Sequence, residues 1–590
     1  MADPDDDEDG APRDRRRIWP WAVTALAIAI IAWAGALAWD ALQLAGAARD
    51  VKQQASAAQA ALKERDAATL SAEVEALQRS AATLAAATDG PHWWIATHLP
   101  WVKNQAIPVV AVGEAATVLA DDVLDPLSDQ AVIDALEVPG FENGRIDPDI
   151  FAAAQAPMTQ ADDALAAQID ALAALDLSRT DQLISERIID LRDQLREVGD
   201  LVHGGRVAAE LLPPMLGGEG ARTYLVMVQN NAEPRAIGGI PGAILELKVD
   251  EGRMDLGEYV AASNLVDRDG VGGLTADEQR IFTDRMQVYP QDVTFTPEYP
   301  RAAQMLTRFW QADGRDPVDG VVSVDPVALG WMLDGAPPIE VGDFTLRSGN
   351  AARVLLNETY LKYPDPKDQD AFFADASAAL FDAVASGKAT ALGGVERAIE
   401  AGRLLVWSAD ADEQRKLADT GIAGAFLEQD DALGLFVNDG SGAKIAWYID
   451  TDTTVTDHLC TDGSLAGQTV EVTFTHTFDG DVDALPSWVK GTEITVPAGR
   501  FAANVLLYPA AGTFVAAVRH DGEAAAMNPE VHDGRSVVEM WLNIGPGEST
   551  TLDFDIDTTA TGLLRPLFEA TPGPKPNVYT AAKDGNSDKC

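Results

Sequence analysis

Residues 223–250 read TYLVMVQNNAEPRAIGGIPGAILELKVD, and this stretch decides the fold of the central part of the chain. Two short apolar runs, TYLVMVQNN and AILELKVD, flank a Gly- and Pro-containing segment between Glu233 and Gly242. Apolar runs that are rich in β-branched residues and bounded by turn-forming residues are typical of β-strands. The stretch therefore predicts a strand, a loop over residues 233–242 and a second strand.

The residues that follow add helices to this pattern. The run GVVSVD at 320–325 predicts another strand, and PVALGWMLDGA at 326–336 predicts a helix directly after it. Further helical patterns occupy residues 349–363 and 370–386. Because strands and helices alternate, we predict an α/β layered domain, which we place at residues 220–445.

Helical periodicity fades beyond residue 445. Short runs of alternating or β-branched residues recur there between turn signals: QTVEVTFTHTF, NVLLYPA, TFVAAVRH, VVEMWLNI and TTLDFDID. This pattern predicts a β-sandwich over residues 446–570. The last stretch, 571–590, is Pro-rich and then polar, so we predict a flexible tail.

The region before the first strand is rich in Ala and Leu. Apolar residues follow the three-four spacing of a helix face at Leu70, Val74, Leu77, Ala81 and Leu84. We predict a helical stalk or bundle over residues 40–215.

An uncharged apolar segment lies near the N-terminus. Residues 18–39 read IWPWAVTALAIAIIAWAGALAW, and a helix of that length spans about 30 Å. Four arginines between residues 13 and 17 precede it, which favours a cytoplasmic tail at 1–17. The sequence thus predicts a transmembrane helix and a single-pass protein of the cell membrane with an extracytoplasmic body. A cleaved signal peptide, with a cleavage site near Ala36-Leu37-Ala38, is the alternative.

Composition excludes some classes of protein. Hydrophobic residues make up 47% of the chain, as expected for a folded protein, and the whole is predicted to be multidomain α+β. The formal net charge of −49 repels phosphate backbones, so nucleic acid is excluded as a partner. Two cysteines, Cys460 and Cys590, exclude a disulfide scaffold and leave one bridge open.

Several ordered motifs resemble the domain of unknown function 4012 family of actinobacterial envelope proteins. The motifs are YLVMVQNNAEPRAIGGIPGAILELKVDEGRM, VDGVVSVDPVALGWML, LNETYLKYPD, LLVWSADADEQ and LGLFVNDGSGAKIAWYI. The resemblance covers roughly residue 70 to the end of the β-rich region and is densest between residues 222 and 449. It implies an envelope protein, without implying a particular activity.

The order of strands and loops is also distantly similar to the LytR-CpsA-Psr family, whose members transfer glycopolymers from polyprenyl pyrophosphate carriers to the cell wall. This likeness implies a catalytic role for Arg235 in the first loop and for Asp365 in the later motif. Tyr360, Lys362 and Tyr363 would join them at the lipid phosphate. The later motif of that family holds several arginines, whereas KYPDPKDQDAFF supplies lysines, which lack the bidentate fork of arginine.

Under the transferase interpretation, the first loop would supply further binding groups. Asn230, Asn231 and the backbone of Gly238 and Gly239 would donate hydrogen bonds to pyrophosphate oxygens. Glu233 or Asp365 would hold Mg²⁺ or accept a proton from the attacking sugar hydroxyl. The structural alternative is that the asparagines shape a turn and that the glycines supply positive φ angles. No protein ligand set for a resident metal is predicted.

Two classes of function remain open. The sequence lacks HExxH, GxSxG, Walker A and complete GxGxxG motifs, which disfavours hydrolases and nucleotide-binding enzymes. We predict a protein that binds, or helps assemble, lipid-linked or wall-attached glycopolymers, with a divergent glycopolymer phosphotransferase as its enzymatic form. The alternative is a non-catalytic scaffold or adhesion-type module that binds a wall polymer or a partner protein.

Overall fold

A computed structural model gives the architecture of most of the chain. The residues it describes are isolated positions between 53 and 61 and at 132, and the ranges 67–88, 90–100, 102–128, 145–385, 391–418, 420–460, 464–559 and 565–585. The chain divides into two compact units. The first takes the chain up to Ser128 together with Ala164–Ile188, and the second takes Asp129–Asp163 and Ile189–Cys590.

The helices of the described residues are of unequal length. The longer ones are α1 (Ala67–Thr88), α2 (Pro91–His98), α3 (Lys103–Val118), α4 (Asp149–Ala173), α5 (Gln182–Met215), α6 (Ala276–Phe282), α7 (Tyr299–Ala312), α8 (Pro326–Met332), α9 (Pro366–Ala385), α10 (Ala391–Glu400) and α11 (Ala411–Ala418). Short helical turns are Asp125–Leu127, Arg285–Val288, Ala351–Arg353, Thr359–Lys362 and Ser487–Lys490. Two segments are π-helical, Leu119–Leu124 and Val354–Glu358. The 3₁₀ turns are Ala262–Leu265, Pro290–Phe295, Gly421–Ala423, Phe426–Glu428, Lys444–Tyr448 and Val482–Ala484.

The strands all lie in the second unit. They are β1 (Arg222–Arg235), β2 (Gly238–Asp250), β3 (Arg253–Ala261), β4 (Gly320–Val324), β5 (Ile339–Val341), β6 (Phe344–Leu346), β7 (Leu404–Ser408), β8 (Ala432–Asp439), β9 (Ile449–Leu459), β10 (Leu465–His476), β11 (Phe501–Tyr508), β12 (Thr513–His520), β13 (Glu523–Ala524), β14 (Asn528–His532), β15 (Arg535–Ile544), β16 (Ser549–Thr558), β17 (Leu567–Ala570) and β18 (Val578–Gly585).

The prediction of membrane anchorage needs correction. Residues 18–39, where we predicted the transmembrane helix, lie outside the described residues, as does the tail at 1–17. Within the described ranges, no helix combines the length and the apolar character that crossing a membrane requires. We therefore withdraw the predictions of a membrane anchor and of a single-pass location.

Helices α1, α2 and α3 belong to the first unit. The spacing that predicted a helix face is reproduced in part, because Val74, Leu77 and Ala81 of α1 are buried. The side chains of Leu70 and Leu84 lie outside the described residues. Leu77 and Ala81 pack against residues 116 and 120, so small alanines allow a close approach of the two helical segments.

The boundary that we predicted at residue 215 is wrong. The last turns of α5 pack inside the second unit, where Val207 and Leu211 meet Leu417 of α11. A hydrogen bond of 2.9 Å from the Tyr224 hydroxyl to the carbonyl of Met215 joins the end of α5 to β1. The helical region therefore does not end as a separate stalk before β1.

A five-stranded sheet in the order β3-β2-β1-β4-β7 forms the centre of the second unit. Strands β1 and β4 are parallel, and α7 lies on the crossover between them, as a parallel pair requires. Side chains alternate across β1. Leu225 and Met227 face the core that contains α7, whereas Val226 and Val228 face α8 and α10. Helices thus cover both faces of this sheet.

Two further sheets face each other to form a sandwich. Their orders are β14-β15-β11-β8-β17 and β13-β12-β16-β10-β9-β18. Leu435 and Leu507 of one sheet share a buried core with Val472 and Phe554 of the other. The sandwich begins at β8, so the domain boundary that we predicted between residues 445 and 446 lies too late.

The sandwich and the central sheet share a second core. Along β11, Leu507 points into the sandwich, whereas its neighbours Leu506 and Tyr508 point to the other side. There they meet the buried face of α7 and residues of the central sheet, including Phe309 and Val321. The two regions are therefore not separable, because removing either would expose the core that they share.

The prediction of a flexible tail at 571–590 is wrong for residues 571–585. Strand β18 runs parallel to β9, with register from Val578 opposite Asp452 to Gly585 opposite Leu459. Thr571 is buried, and its hydroxyl donates to the carbonyl of Ala236 at 2.9 Å and accepts from the backbone N–H of Val437 at 2.8 Å. Cys460 is disulfide-bonded, and Cys590, the other cysteine of the sequence, lies with residues 586–589 outside the described residues.

These contacts make the tail part of the folded core, which a substitution can test. Thr571→Val keeps the shape of the side chain but leaves the two backbone groups without their partner. We expect the free energy of unfolding to fall by about 1–3 kcal/mol, measured by urea denaturation. Thr580→Val, on the exposed surface of β18, is the control and should change it by less than about 0.5 kcal/mol. Equal stability of both variants would contradict the buried role of Thr571.

Candidate functional site

The segment that we predicted as a loop is the paired end of two strands. β1 continues to Arg235 and β2 begins at Gly238, so only residues 236 and 237 turn. The register of the pair shifts between Asn230 and Pro234, which marks a β-bulge. The prediction of a loop at 233–242 is therefore wrong. The polar side chains of this tract form hydrogen bonds and ion pairs within the protein.

Arg235 lies at the centre of a buried chain of charges. The residue is 4% exposed, and its Nη2 donates to Asp292 Oδ1 at 3.0 Å and to Glu233 Oε1 at 3.1 Å. The other carboxylate oxygen of Glu233 accepts from Lys444 Nζ at 2.7 Å. The guanidinium also lies 4.8 Å from the centroid of the Phe295 ring. Both Nη groups of Arg235 are thus engaged by the protein itself, whereas its Nε is buried and has no hydrogen-bond partner among the described residues.

The carboxyl groups of Glu233 and the nearby Asp439 have pKa values that are shifted in opposite directions. Burial favours the neutral form of Glu233, but the charges of Lys444 and Arg235 outweigh burial and hold its pKa below the usual range. Burial raises the pKa of the nearby Asp439, and the charge of Glu233 raises it further. Glu233 is therefore the ionised partner of the two cations.

The other polar residues of β1 also bind within the protein. Gln229 donates to Ser323 Oγ at 2.6 Å and accepts from the N–H of Gly239 at 2.7 Å. Asn230 donates to the hydroxyl of Tyr360 at 2.5 Å. Asn230 and Asn231 lie in a bulged strand, so the alternative that they shape a turn is wrong as well.

Asn231 belongs to a second polar cluster, centred on Asp325. The carboxylate of Asp325 accepts from Asn231 Nδ2 at 3.0 Å, from Arg403 Nη1 at 2.5 Å and from the N–H of Ala328 at 2.7 Å. Asn231 and Arg403 also donate to the carbonyls of Pro572 and Gly573, at 3.0 and 2.8 Å. We call Asn231, Asp325 and Arg403 the Asp325 cluster. It joins β1, the start of α8 and the C-terminal segment.

The two glycines of the tract have structural roles. Gly238 has φ of +137°, which side-chain-bearing residues rarely adopt. A Cβ atom on Gly239 would lie 2.2 Å from the backbone of Asn230, so only glycine allows the strands to approach there. Gly238 thus agrees with the alternative of a positive φ angle, and Gly239 is required by close packing.

The structure separates the predicted site residues into two groups. Tyr360 is buried beside Asn230, whereas Lys362 is exposed and pairs with Asp343 at 3.2 Å. Tyr363 packs on Phe344 and Phe372. Asp365 is exposed and accepts from the N–H of Lys367 at 2.9 Å, at the start of α9. Within the described ranges, no hydrogen bond or ion pair joins Arg235 to Lys362 or to Asp365.

A cleft with a volume of about 450 Å³ lies on the other side of the Asp325 cluster. Its principal side chains are two tryptophans, three cations and one carboxylate: Trp331, Trp447, Arg353, Arg397, Lys575 and Asp334. Cavities of this size, with apolar walls and a few polar groups, are typical of ligand sites.

The Asp325 cluster positions the two segments that carry Trp331 and Lys575, which line this cleft. Asp325 caps the N-terminus of α8, and Trp331 stands near the end of that short helix. Arg403 lies 5.5 Å from the centroid of the Trp331 ring and holds the carbonyl of Gly573, two residues before Lys575. Trp447 comes from the 3₁₀ turn after β8 and shares an apolar cluster with Trp331, Val327 and Leu356.

A cationic side chain lies over the ring of each tryptophan in the cleft. The Arg397 guanidinium lies 4.0 Å from the centroid of Trp331, and Lys575 Nζ lies 5.8 Å from that of Trp447. Lys575 pairs with Asp450 at 2.8 Å, and Arg353 pairs with Glu358. The aromatic rings therefore orient two of the three positive charges that face the cleft.

Sequence reasoning missed this cleft entirely. None of the site residues that we predicted lines it. Trp331 and Trp447 stand inside the motifs VDGVVSVDPVALGWML and LGLFVNDGSGAKIAWYI, and these tryptophans were the available signal. The arginines and the lysine come from distant parts of the chain, so no local pattern brings them together.

Residues 219–360 match the family model described as Protein of unknown function (DUF4012). This segment belongs to the DUF4012 family. The match covers β1 to β6 and ends at Tyr360, so the DUF4012 segment contributes Trp331, Asp334 and Arg353 to the cleft. No curated protein and no solved structure matches the chain.

Mg²⁺ stays an untested prediction. The described residues contain no group of three or more His, Cys, Asp or Glu side chains that could hold a metal ion. Asp365 and Glu233, to which we assigned this role, lie apart. Glu233 is instead the ion-pair partner of Arg235 and Lys444.

The buried ion pairs predict how Arg235 variants behave. Arg235→Leu removes the cation that Asp292 and Glu233 share, so these buried carboxylates each lose a partner and keep only Arg285 and Lys444, respectively. We expect the free energy of unfolding to fall by about 3–5 kcal/mol in urea denaturation. Arg253→Leu, on the exposed end of β3, is the matched control and should cost less than about 1 kcal/mol. A fall no larger than that of the control would contradict the structural role of the Arg235 ion pairs.

Proposed function

We propose that this protein binds a segment of a glycopolymer, such as a wall-attached polysaccharide, in the cleft between Trp331 and Trp447, without transferring it. The observation that carries the proposal is the presence of two tryptophans and three cations around one cavity of about 450 Å³. A glycopolymer partner was also predicted from the sequence, but at residues that do not line this cleft.

The chemistry of the walls favours a sugar. The apolar C–H face of a pyranose ring packs on the face of an indole, and the remaining hydroxyls need polar groups nearby. Trp331 and Trp447 supply indole surface, and Arg353, Asp334 and Lys575 supply donors and an acceptor. Several lining residues are exposed, so an extended chain can enter and leave the cleft without being cut.

The placement of Arg235 argues against the phosphotransferase form. A pyrophosphate-binding arginine must offer its N–H groups to the substrate, whereas the two Nη groups of Arg235 bind Asp292, Glu233 and a backbone carbonyl, and its Nε is buried. Asp365 and Lys362 stand in an exposed region with partners of their own. These positions support a binding module more than a transferase.

A substitution of Trp447 tests the proposal. Trp447→Ala removes one aromatic wall, and we expect binding of the full chain to protein-free cell-wall polysaccharide to weaken about tenfold in a pull-down titration. Trp541→Ala is the control, because Trp541 is half exposed on β15 and does not line the cleft.

Thermal unfolding of both variants distinguishes lost binding from lost folding. Unchanged affinity of a folded Trp447→Ala protein would contradict the proposal. The absence of binding by the unsubstituted chain to any polysaccharide tested would contradict it more broadly.

A further inference from the structure

We infer that the cleft selects a polymer with sparse negative charge, in which a single acidic group on a sugar unit meets Arg397, Arg353 and Lys575. This inference rests on the proposed function and names the class of ligand. The acidic group is a carboxylate or a phosphodiester, since both accept hydrogen bonds from guanidinium and ammonium groups.

The three cations are available to a ligand. Arg397 is exposed, and the described residues include no carboxylate that forms an ion pair with it. Arg353 and Lys575 pair with Glu358 and Asp450 near the surface, and exposed pairs of this kind are easily exchanged for another anion. A third carboxylate, Asp334, lines the cleft, so three carboxylates face the three cations, and Arg397 is the cation that forms no ion pair with a described carboxylate.

Two glycines keep part of the cleft empty. A Cβ atom added to Gly349 or Gly393 would meet nothing within 4 Å. Neither residue has a positive φ, so the backbone does not require glycine at either place. Gly393 lies within α10, where glycine lowers helix stability relative to alanine.

Its neighbour Gly394 differs, because a Cβ there would lie 2.5 Å from the backbone of Trp331. Packing therefore explains Gly394 but does not explain Gly393. We assign Gly349 and Gly393 to the space that the ligand occupies.

The backbone beside Arg353 is also unusual. The helix widens into a π-helical turn at Val354–Glu358, directly after Arg353, and the Thr359 hydroxyl donates to the carbonyl of Val354 at 2.8 Å. Turns of this kind lower helix stability and occur often at functional sites. Here the turn begins at the residue after Arg353, which lines the cleft.

The net negative charge of the whole chain favours a ligand with few acidic groups per sugar unit. At a net charge of −49, a polyanion with one charge per unit is repelled by the surface around the cleft. Salt screens such repulsion beyond about 8 Å, so a charge that occurs once in two or more sugars meets mainly the local cations. A nucleic acid, with its dense charge, is disfavoured by the same argument.

The inference is tested with matched saccharides. A hyaluronan tetrasaccharide, which carries one carboxylate per two sugars, is compared with its carboxyl-reduced form by isothermal titration with the full chain. We expect the acidic form to bind at least ~10-fold tighter, and the difference to shrink at high salt. Arg397→Gln should lower the affinity for the acidic form more than the affinity for the reduced form, and so remove most of this difference.

A pair of glycine variants gives a second readout. Gly393→Ala should raise the midpoint of thermal unfolding and weaken binding of the acidic tetrasaccharide roughly tenfold, because the methyl group enters the ligand space. Gly204→Ala, within α5 and equally free of steric contact, is the control and should raise stability without changing affinity. Unchanged binding by Gly393→Ala would overturn the assignment of this glycine.

Further probes separate the remaining outcomes. Equal affinity for the acidic and reduced tetrasaccharides would overturn the charge inference and leave the proposed function standing. No binding of either would overturn both. Tighter binding of a short glycerol-phosphate oligomer, which carries one charge per unit, than of hyaluronan would overturn the inference of sparse charge. Tighter binding of a single-stranded oligonucleotide would overturn it.

Discussion

The interactions of the buried Asp325 carboxylate hold the second unit of this protein together. This group, 2% exposed, accepts hydrogen bonds from the N-terminus of α8, from Asn231 at the end of β1 and from Arg403 before β7. Asn231 and Arg403 in turn bind the carbonyls of Pro572 and Gly573. A charge this deep in a protein is costly unless it is fully paired. The pairing fixes the geometry of four distant segments at one point.

The cleft follows from this arrangement. α8 carries Trp331, and the C-terminal segment carries Lys575, so both depend on the Asp325 cluster for their positions. A second buried cluster, in which Arg235 binds Glu233 and Asp292, secures the neighbouring part of β1 against β8 and the residues after it. Polar clusters of this kind specify one arrangement of their elements, because any other arrangement leaves charges without partners. Several elements that line the cleft are therefore positioned by buried polar clusters, which favours a defined binding site.

The sequence predicted the apolar part of the fold better than the polar part. The run LVMV at 225–228 alternates between two helix-covered faces, and its β-branched and apolar character was sufficient to identify a strand. The first strand was predicted to end at Asn231, and residues 233–235 were read as the start of a loop, since Glu and Pro usually end a strand. In the structure, Gln229, Asn231 and Glu233 all belong to β1. Their partners Ser323, Asp325 and Lys444 lie far along the chain, and only the tertiary structure brings them near. The tail was misread for the same reason, because β18 needs β9 as its partner. The cleft could not be predicted, since its lining comes from segments between residues 327 and 576.

Hydrogen–deuterium exchange of the full chain, with and without an acidic oligosaccharide, tests the central claim most directly. We expect the sugar to slow exchange at residues 326–335, 349–353, 393–397, 444–448 and 572–576, which surround the cleft. Exchange at residues 359–368, which include Lys362 and Asp365, should stay unchanged. Protection confined to that later region, or to the surface of the sandwich, would contradict the account and place the ligand elsewhere.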